Sequence, residues 1–325
     1  MVKNKITVLS LFDGISCGRI ALERAGIEIG DYYASEIDKY SISISQKNYP
    51  DIIQLGDIEK WKEWKLPKID TIIGGSPCQG FSIAGDGLNF NDPRSKLFFV
   101  YAEILKELNP KYFLLENVKM KKEWQDIITR YLGVSPIKIN SALVSAQNRE
   151  RLYWTNISND IKQPEDLGLC IADVLEKDII DTKQKYGKII VTGRATDING
   201  HDILKRIYSQ SGKSPTLNSM RGGNRHPKID IRGAAIRNQV TKDGIQKQLN
   251  IRKDNKSNCV VPSYSEKLNG VVNGVDYRPL TPLECERLQT LPDNYTDGVS
   301  NSRRYSGIGN GWTVDVIAHI FSYLK

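Results

Sequence analysis

The residues best suited to covalent chemistry lie in one short segment, Gly74 to Ser82 (GGSPCQGFS). It follows a stretch, DTIIG, whose unbroken apolar character is typical of a buried parallel strand. We therefore expect Cys78 on a turn restricted by Gly and Pro, at the edge of a sheet where ligands bind. Helix-type N–H groups near such a turn favour the thiolate, which is the nucleophilic form. A lone cysteine is usually a buried structural residue, but the flanking Gly, Pro and Gln favour a nucleophile.

Two further segments place charged side chains where they could assist this nucleophile. Lys111–Leu115 (KYFLL) predicts a second buried strand, which ends in Leu115-Glu116-Asn117-Val118. We therefore expect the carboxyl group at the same edge of the sheet as Cys78. The segment QNRER carries Arg149 and Arg151, which would point to one face if they lie on a strand. Taken separately, the glutamate could cap a helix and the arginines could belong to a surface ion-pair cluster.

Three strand ends nearer the N-terminus carry groups that could bind a nucleoside. The first strand, Ile6–Leu11, runs into the turn FDGISCG, where glycine lets the backbone approach a ligand. After the second strand, Glu36 can accept hydrogen bonds from a ribose diol through both carboxylate oxygens. After the third, Asp57 can accept from an adenine amino group. Each acid alone could equally be a helix N-cap, but the ordered set of turn, acid and acid favours a nucleoside-containing cofactor.

These segments must be positioned by alternating strands and helices. Residues 5 to 155 repeat strand-like and helix-like stretches, and Leu97–Leu108 has the apolar spacing of a core-facing helix. Repeated units of this length predict an α/β fold with a doubly wound, mostly parallel sheet. Farther on, Thr281, Pro282 and Glu284 predict a capped helix start, and the apolar run Trp312–Leu324 predicts a last helix.

The positive charge of the chain is concentrated in one segment. Residues 183–256 carry 17 Lys and Arg against 5 Asp and Glu, whereas the rest of the chain carries 29 against 33. Lys and Arg neutralise phosphates and release counterions, so this segment favours a polyanionic partner. A solvated basic face would have the same composition, so the charge alone leaves both interpretations open.

Other features argue against a membrane protein, a disulfide framework and a metal site. We find no apolar run near the roughly 18–20 residues that a membrane span needs and no signal-peptide layout. The five cysteines are scattered without a C-x-x-C pair, and only three histidines are present. We therefore expect a cytoplasmic protein without a metal.

In their order along the chain, these segments resemble the motifs of the DNA (cytosine-5)-methyltransferase family, over nearly the whole chain. The nucleotide turn, the two acids, the Pro-Cys pair, Glu-Asn-Val at 116–118 and Gln-x-Arg-x-Arg at 147–151 all have counterparts in that family. So do residues 92–99 (DPRSKLFF), 278–287 (RPLTPLECER) and 309–312 (GNGW). Each motif is modest in specificity, whereas eight or more in the same order favour membership.

The resemblance implies a base-flipping enzyme that transfers a methyl group from S-adenosylmethionine to C5 of cytosine in double-stranded DNA. Cys78 would add to C6 of the base, and Glu116 would hold or donate a proton at N3. Arg149 and Arg151 would bind O2 and stabilise the charge that develops on the ring. The implied fold is a Rossmann-like methyltransferase with a smaller, loop-rich target-recognition domain.

The resemblance also implies which residues contact the cofactor. S-adenosylmethionine would be bound by Phe12, Asp13, Gly14, Ile15, Glu36, Ile37, Asp57, Ile58, Pro77, Leu97, Asn310 and Trp312. Two of these depart from the family pattern. Ile37 stands where many relatives stack an aromatic ring on the adenine, and Trp312 is larger than the residue usual in bacterial members.

DNA contacts are expected from two regions. The Gly, Pro and Asn/Asp content of residues 80–95 predicts a loop that closes over DNA, with Gln79 and Ser82 carried toward the vacated stack. In the basic segment, Arg206, Thr216, Arg221 and Arg225 resemble the family's target-recognition residues.

We expect residues 1–182, completed by 300–325, to form the catalytic and cofactor-binding domain. Residues 183–276 would form the target-recognition domain, and 277–299 the hinge. A monomeric prokaryotic or phage-type enzyme fits this layout, nucleoid-associated when on DNA, acting alone or beside a cognate restriction endonuclease that it does not contact.

Two alternatives remain in view. A tRNA cytosine-5 methyltransferase would use the same scaffold, but the Cys-Phe-Thr signature of that branch is absent from the sequence. A catalytically inactive DNA-binding homologue is disfavoured because Cys78, Glu116 and Arg151 are all present.

Overall fold

A computed structural model describes residues 5–77, 93–176, 187–195, 198–217, 226–230, 236–241, 244–249, 271–272 and 275–324. The chain forms two compact units. The first unit comprises Met1–Asn140, Glu150–Pro164 and Val314–Lys325, and the second comprises Ser141–Arg149 and Glu165–Thr313. These units are defined by contacts within the chain and not by DNA binding. The division into catalytic, target-recognition and hinge segments at 182, 276 and 299 therefore remains a prediction.

The described elements alternate strand and helix through the first half of the chain. The strands are β1 (Ile6–Leu11), β2 (Ile29–Ser35), β3 (Ile53–Gln54), β4 (Thr71–Gly74), β5 (Tyr112–Val118), β6 (Ile137–Asn140), β7 (Glu150–Thr155), β8 (Val191–Arg194), β9 (Arg206–Tyr208), β10 (Lys228–Asp230), β11 (Ile236–Thr241), β12 (Gly244–Leu249), β13 (Val271–Val272) and β14 (Val275–Pro279). The helices are α1 (Cys17–Arg24), α2 (Lys39–Asn48), α3 (Pro93–Leu108), α4 (Lys122–Leu132), α5 (Asp202–Lys205), α6 (Pro282–Leu288), α7 (Asn301–Asn310) and α8 (Val314–Phe321).

The first unit is built on a seven-stranded sheet in the order β3-β2-β1-β4-β5-β7-β6. The first five strands in that order pair in parallel, whereas β7 pairs antiparallel with both β5 and β6. The chain leaves β1 toward β2 and β3 and later returns to place β4 on the other side of β1. Ligands of such sheets bind at this switch point, outside the carboxyl ends of the strands. The prediction of a doubly wound, mostly parallel sheet is confirmed.

Helices cover the sheet through apolar faces. On α3, Phe98, Tyr101 and Ile104 are fully buried at a spacing that brings them to one side of the helix. Helix α4 ends at Gly133, whose φ of +71° is the left-handed conformation that favours glycine at this position. None of the helices that the structure describes is both apolar and long enough to span a bilayer.

The second unit contains a five-stranded sheet, β13-β14-β10-β9-β8, and a hairpin of β11 and β12. Helix α6 begins as predicted: Thr281 accepts from the backbone N–H of Glu284, whose side chain accepts in return from the backbone N–H of Thr281. The predicted last helix, 312–324, is wrong at its start. Helix α7 ends at Asn310 and α8 begins at Val314, so Trp312 lies in the connection between them.

Candidate active site

The segment that leads to the predicted nucleophile is tied to the neighbouring strand. Asn117 on β5 donates from Nδ2 to the carbonyl oxygen of Ser76 at 3.4 Å and to its Oγ at 3.2 Å. Both residues are buried, and Asn117 Oδ1 in turn accepts from the backbone N–H of Val118 at 2.8 Å. These contacts hold the backbone two residues before Cys78. Cys78 itself, Gln79 and Ser82 lie outside the described residues.

Close packing fixes the start of the same segment. A Cβ added at Gly74 would lie 2.9 Å from the carbonyl oxygen of Leu11 and 3.0 Å from Cε2 of Tyr101. Tyr101 cannot easily move away, because it is fully buried and donates from its hydroxyl to the carbonyl oxygen of Leu114. Only glycine fits at this position, so the glycine of the motif serves packing at the end of β4.

Glu116 and Arg151 form a buried ion pair at the carboxyl end of β5. Arg151 Nε lies 3.0 Å from Glu116 Oε1, and the side chains are 12% and 11% exposed. The register explains the contact, because Arg151 is opposite Val118 while Glu116 is two residues earlier on β5. The angle at Nε is not that of a hydrogen bond, and Nε has no acceptor among the described residues. The pair is therefore held by charge, with a buried donor that a ligand oxygen could accept from.

Arg149 has a different environment from Arg151. It precedes β7, belongs to the second unit and is only 3% exposed. Its guanidinium donates to three backbone carbonyl oxygens of that unit: Leu217 at 2.7 Å, Gly311 at 3.0 Å and Gly309 at 3.3 Å. Of the predicted catalytic residues described, the structure therefore brings together Glu116 and Arg151. The contact of Arg149 with the base remains a prediction.

Glu36 is fixed at the switch point of the sheet by three backbone donors. Its Oε2 accepts from the N–H of Gly14 at 2.8 Å, and Oε1 accepts from those of Ile37 and Asp38 at 2.7 and 2.8 Å. The turn that presents Gly14 is itself unusual, because Phe12 and Ser16 have positive φ values of 58° and 61°. A non-glycine residue in this region costs energy, so the contacts around the turn must stabilise it.

Asp13 is one of those contacts. Tyr32 donates to Asp13 Oδ1 at 2.8 Å, and the hydroxyl of Ser16 donates to Oδ2. Burial raises the pKa of Asp13 to about 6, with a further increase from the nearby charge of Glu36, although hydroxyl donors from Ser10, Ser16 and Tyr32 oppose the shift. The turn therefore holds a carboxyl group that titrates near neutral pH.

Of the two interpretations of Asp57, helix N-cap and acceptor for an adenine amino group, the structure shows the N-cap. It precedes a 3-10 turn, Ile58–Glu63, and its Oδ1 accepts from the N–H of Glu59 at 2.9 Å. Ile58 is buried, whereas Ile37 is 75% exposed beside Glu36. Capping leaves the second carboxylate oxygen as a further acceptor, so it does not exclude a ligand.

The remaining predicted cofactor residues lie in both units. Gly14 has a φ of +58°, Ile15 is fully buried, and Leu97 is partly buried in the core of the first unit. Pro77 is the last residue described before Cys78. Asn310 ends α7 and Trp312 follows it, both in the second unit.

The first unit's residues fit a nucleoside. Glu36 is prealigned, and its Oε2 accepts one hydrogen bond where a carboxylate oxygen takes about two. Ile37, the next residue, adds an exposed apolar side chain beside Glu36. For a metal, the described part of the chain holds no suitable group of three His, Cys, Asp or Glu side chains.

Two of the predicted DNA-contacting residues lie in the described part of the chain, and the side chains of both contact other residues of the protein. Thr216 donates from its hydroxyl to the carbonyl oxygen of Asn148 at 2.8 Å. Arg206 pairs with Asp202 at 2.8 Å. Arg221 and Arg225 lie outside the described part of the chain.

Sequence reasoning missed one residue of the second unit, Gln147. Its side chain accepts from the N–H of Leu217 at 2.7 Å and donates to the carbonyl oxygen of Leu288 at 3.1 Å. Its place in the Gln-x-Arg-x-Arg segment was the available signal. The Gln147 side chain thus links the predicted recognition segment to helix α6 through these two hydrogen bonds.

Comparison with known families decides the class of this site. A model of C-5 cytosine-specific DNA methylases matches residues 6–325. The chain belongs to this family. The type II methyltransferase M.HpaII of Haemophilus parainfluenzae is 30% identical, over 97% of this chain and 88% of the relative. The orphan methyltransferase M.SPBetaI of Bacillus phage SPbeta is 29% identical, over 99% of this chain and 98% of the relative.

Among solved structures, the Entamoeba histolytica methyltransferase EhMeth is similar to this DNA methylase with a TM-score of 0.66. The identity is 19% over 98% of each chain, so this likeness shows the fold alone. With the family match, the prediction of a DNA (cytosine-5)-methyltransferase is confirmed, and the tRNA alternative is not favoured.

Proposed function

We propose that this DNA methylase extrudes a cytosine from duplex DNA and methylates its C5, with Cys78 as covalent nucleophile and S-adenosylmethionine as methyl donor. One observation carries the proposal beyond the family: the buried Nε donor of Arg151, which lacks a hydrogen-bond acceptor in the described part of the chain, lies beside the carboxylate of Glu116. A flipped cytosine offers such a pair an oxygen at O2 and a ring nitrogen at N3.

The first step is nucleophilic addition. The Cys78 thiolate forms a bond to C6, and the electron pair of the C5–C6 double bond is delocalised through the ring toward O2 and N3. Arg151 would donate to O2, and Glu116 would hold a proton at N3, as this negative charge develops. Both groups are preorganised, because the ion pair already holds them at the end of β5.

Methyl transfer and release follow from the same intermediate. When bound, S-adenosylmethionine supplies an electrophilic methyl group on a sulfonium sulfur. C5 of the activated base would accept that methyl group, and the donor would leave as a neutral thioether. A base or water would then remove the proton from C5, and the electron pair of the C5–H bond would re-form the C5–C6 double bond as the Cys78 thiolate leaves. The Asn117–Ser76 contacts would hold the backbone before Cys78 during these steps.

The nucleoside portion of the cofactor would be held at the switch point of the first unit's sheet. Glu36 would accept from the ribose hydroxyls, and Asp57 from the adenine amino group. Ile37, which is exposed beside Glu36, would offer apolar surface to the base, and Phe12 is partly buried in the turn that presents Gly14. The contributions of Asn310 and Trp312 are proposed from the family motif.

The partner of the basic segment is proposed to be the DNA duplex. Seventeen Lys and Arg in residues 183–256 would neutralise phosphates, which makes binding strongly dependent on salt. We propose a monomeric prokaryotic or phage-type enzyme. Its relatives include a type II methyltransferase and an orphan methyltransferase. The enzyme would therefore act either beside a restriction endonuclease or without one.

A comparison of substrates tests this proposal. The purified chain, S-adenosylmethionine labelled in its methyl group, and either mixed-sequence duplex DNA or tRNA would be incubated under identical conditions. We expect label in the duplex only, and 5-methylcytosine after hydrolysis. Label confined to tRNA, or present in adenine, would overturn the proposal. Glu116→Gln is the matched control, and it should remove most transfer without preventing DNA binding.

A further inference from the structure

Two side chains from distant parts of the second unit close the end of helix α7. The last carbonyl oxygens of a helix have no donor within the helix. Arg149 donates to the carbonyl oxygens of Gly309 and Gly311 at 3.3 and 3.0 Å. Gln289 donates to those of Ile308 and Gly311 at 2.9 and 3.2 Å. The guanidinium is well placed here, because a cation interacts favourably with the negative end of a helix.

The same side chains hold the backbone of Leu217 at both of its polar groups. The carbonyl oxygen of Leu217 accepts from Arg149 at 2.7 Å, and its N–H donates to Gln147 Oε1 at 2.7 Å. Gln147 in turn donates to Gln289 Oε1 at 3.2 Å. Two routes therefore connect Leu217 with the end of α7, one through Arg149 and the other through Gln147 and Gln289.

This network is buried. Leu217, Gln147 and Gln289 are fully buried, and Arg149 is 3% exposed. A polar group that loses its partner in such surroundings is costly, so the contacts are expected to form or break together. Buried charges are often replaced by apolar side chains without loss of stability. The network therefore points to a role in geometry, which is defined by the two segments that it joins.

One of these segments is the cofactor loop, residues 309–313. Asn310 is exposed and Trp312 is half-buried, and both are proposed to contact S-adenosylmethionine. The far side of the loop is held as well, since Thr313 donates from its hydroxyl to Gln289 Oε1 at 2.8 Å. The other segment is the recognition segment, residues 214–217, in which Thr216 is proposed to contact DNA.

We infer that Arg149 is a positioning residue that makes the recognition segment and the cofactor loop move as one piece, so that DNA and cofactor bind cooperatively. The inference rests on the proposed function, from which both contacts are taken. It replaces the contact with the base that the family resemblance implies for Arg149. The buried guanidinium of Arg149 already donates to three carbonyl oxygens, whereas Arg151 keeps an Nε donor without an acceptor among the described residues.

Binding of S-adenosylhomocysteine to the DNA-free chain separates the two roles of Arg149. Calorimetric titration would compare the wild type with Arg149→Lys and Gln289→Met. Lysine keeps the charge but loses the planar fork that reaches both Leu217 and α7. We expect each variant to bind S-adenosylhomocysteine about 10-fold more weakly. A residue that contacted only the flipped base would leave this affinity unchanged, because no base is present.

Cooperativity is measured with a duplex that the wild type methylates. Duplex affinity would be determined with and without saturating S-adenosylhomocysteine. In the wild type we expect a ratio of about 10 or more, and the duplex should tighten S-adenosylhomocysteine binding by the same factor, because linkage is reciprocal. In both variants the ratio should fall below about 2. A loss of stability alone would not change this ratio among folded molecules.

Lys228→Met is the matched control. Lys228 is another buried cation of the second unit and donates to the carbonyl oxygens of Leu204 and His226 at 2.8 and 3.2 Å. The control should lose stability in urea unfolding and keep both the affinity for S-adenosylhomocysteine and the ratio. If Arg149→Lys does not fold, Gln289→Met still tests the inference, because it leaves no buried charge unpaired.

Three outcomes would overturn the inference. They are an unchanged affinity for S-adenosylhomocysteine in the folded variants, an unchanged ratio in those variants, and losses of the same size in Lys228→Met, which would mark a general loosening of the unit. A wild-type chain that methylates no duplex would overturn the proposed function instead. The titration without DNA would then still show whether Arg149 holds the cofactor loop.

Discussion

Arg151 and Glu116 meet diagonally across strands β7 and β5, with Nε and Oε1 3.0 Å apart and both side chains about nine-tenths buried. A buried charge is tolerated only when it is paired. Either residue alone would therefore leave an uncompensated charge at the carboxyl end of β5.

Removing one member of this pair should cost both activity and stability. For Arg151→Ala we expect a decrease in kcat of at least about 100-fold and a decrease in the free energy of unfolding of about 3 kcal/mol. Urea unfolding and single-turnover methylation measure the two effects. The double variant with Glu116→Gln should recover much of the lost stability, because no unpaired charge remains. Additive losses of stability would contradict the pairing.

Gly74→Ala tests the packing at the end of β4. The added methyl group would meet the carbonyl oxygen of Leu11 at 2.9 Å, so backbone must shift. We expect a loss of about 1–3 kcal/mol in unfolding free energy and a loss of activity, since the segment before Cys78 begins here. Gly187→Ala is the control, because its added Cβ would have no atom within 4 Å. Equal stability of the two variants would show that the predicted clash is relieved without cost.

Asn117→Ala tests whether β5 positions the nucleophile. The variant loses the donor to Ser76, so we expect a kcat decrease of about 10-fold or more at a stability cost of about 1–2 kcal/mol. Asn156→Ala is a matched control. Asn156 also tethers β5, accepting from the N–H of Phe113 at 2.8 Å, but at the opposite end of that strand. It should lose similar stability and keep its kcat and its rate of Cys78 alkylation. A similar loss of kcat in both variants would point to a general effect of loosening β5.

Asp13 predicts a pH dependence of stability. Its pKa in the folded chain is about 6, above the ordinary value of 3.8, so the folded state holds this proton to higher pH than the unfolded chain. The contribution to stability is therefore present below about pH 4 and is lost as the pH rises through about 6. Because the residue keeps some exposure, about 3 kcal/mol is an upper limit to the loss.

Asp13→Asn mimics the protonated form and should remove this dependence. The variant should be more stable than the wild type at pH 8, with the difference shrinking toward pH 4. Urea unfolding across this range, without cofactor, measures it. A difference that stays constant from pH 4 to pH 8 would contradict the raised pKa.

The sequence predicted the parts of the fold that depend on local pattern. Continuous apolar stretches marked β1, β4 and β5, and Thr281 with Glu284 marked the start of α6, because strand burial and helix capping are encoded within a few residues. Glu116 was expected at the end of its strand, and β5 does continue to Val118 through pairing with β7.

Other features depend on contacts between distant segments and could not be predicted. Arg149 and Arg151 were expected on one strand face, yet β7 begins at Glu150 and Arg149 donates to carbonyl oxygens about 70 to 160 residues away. Asp202 pairs with both Arg194 and Arg206, and this bridge likewise depends on strand register. The contacts of Arg149 are not visible in residue spacing, and of the bridge only the i, i+4 pair of Asp202 and Arg206 is.

Trapping of the covalent intermediate tests the central claim most directly. A duplex carrying 5-fluorocytosine at a site first shown to be methylated would be incubated with the chain and S-adenosylmethionine, then separated under denaturing conditions. Fluorine cannot be removed from C5 as a proton can, so the account predicts a stable protein–DNA adduct attached through Cys78, formed only with cofactor and absent for Cys78→Ser. Methylation of ordinary duplex by Cys78→Ser at the wild-type rate, or an adduct attached through another residue, would contradict it.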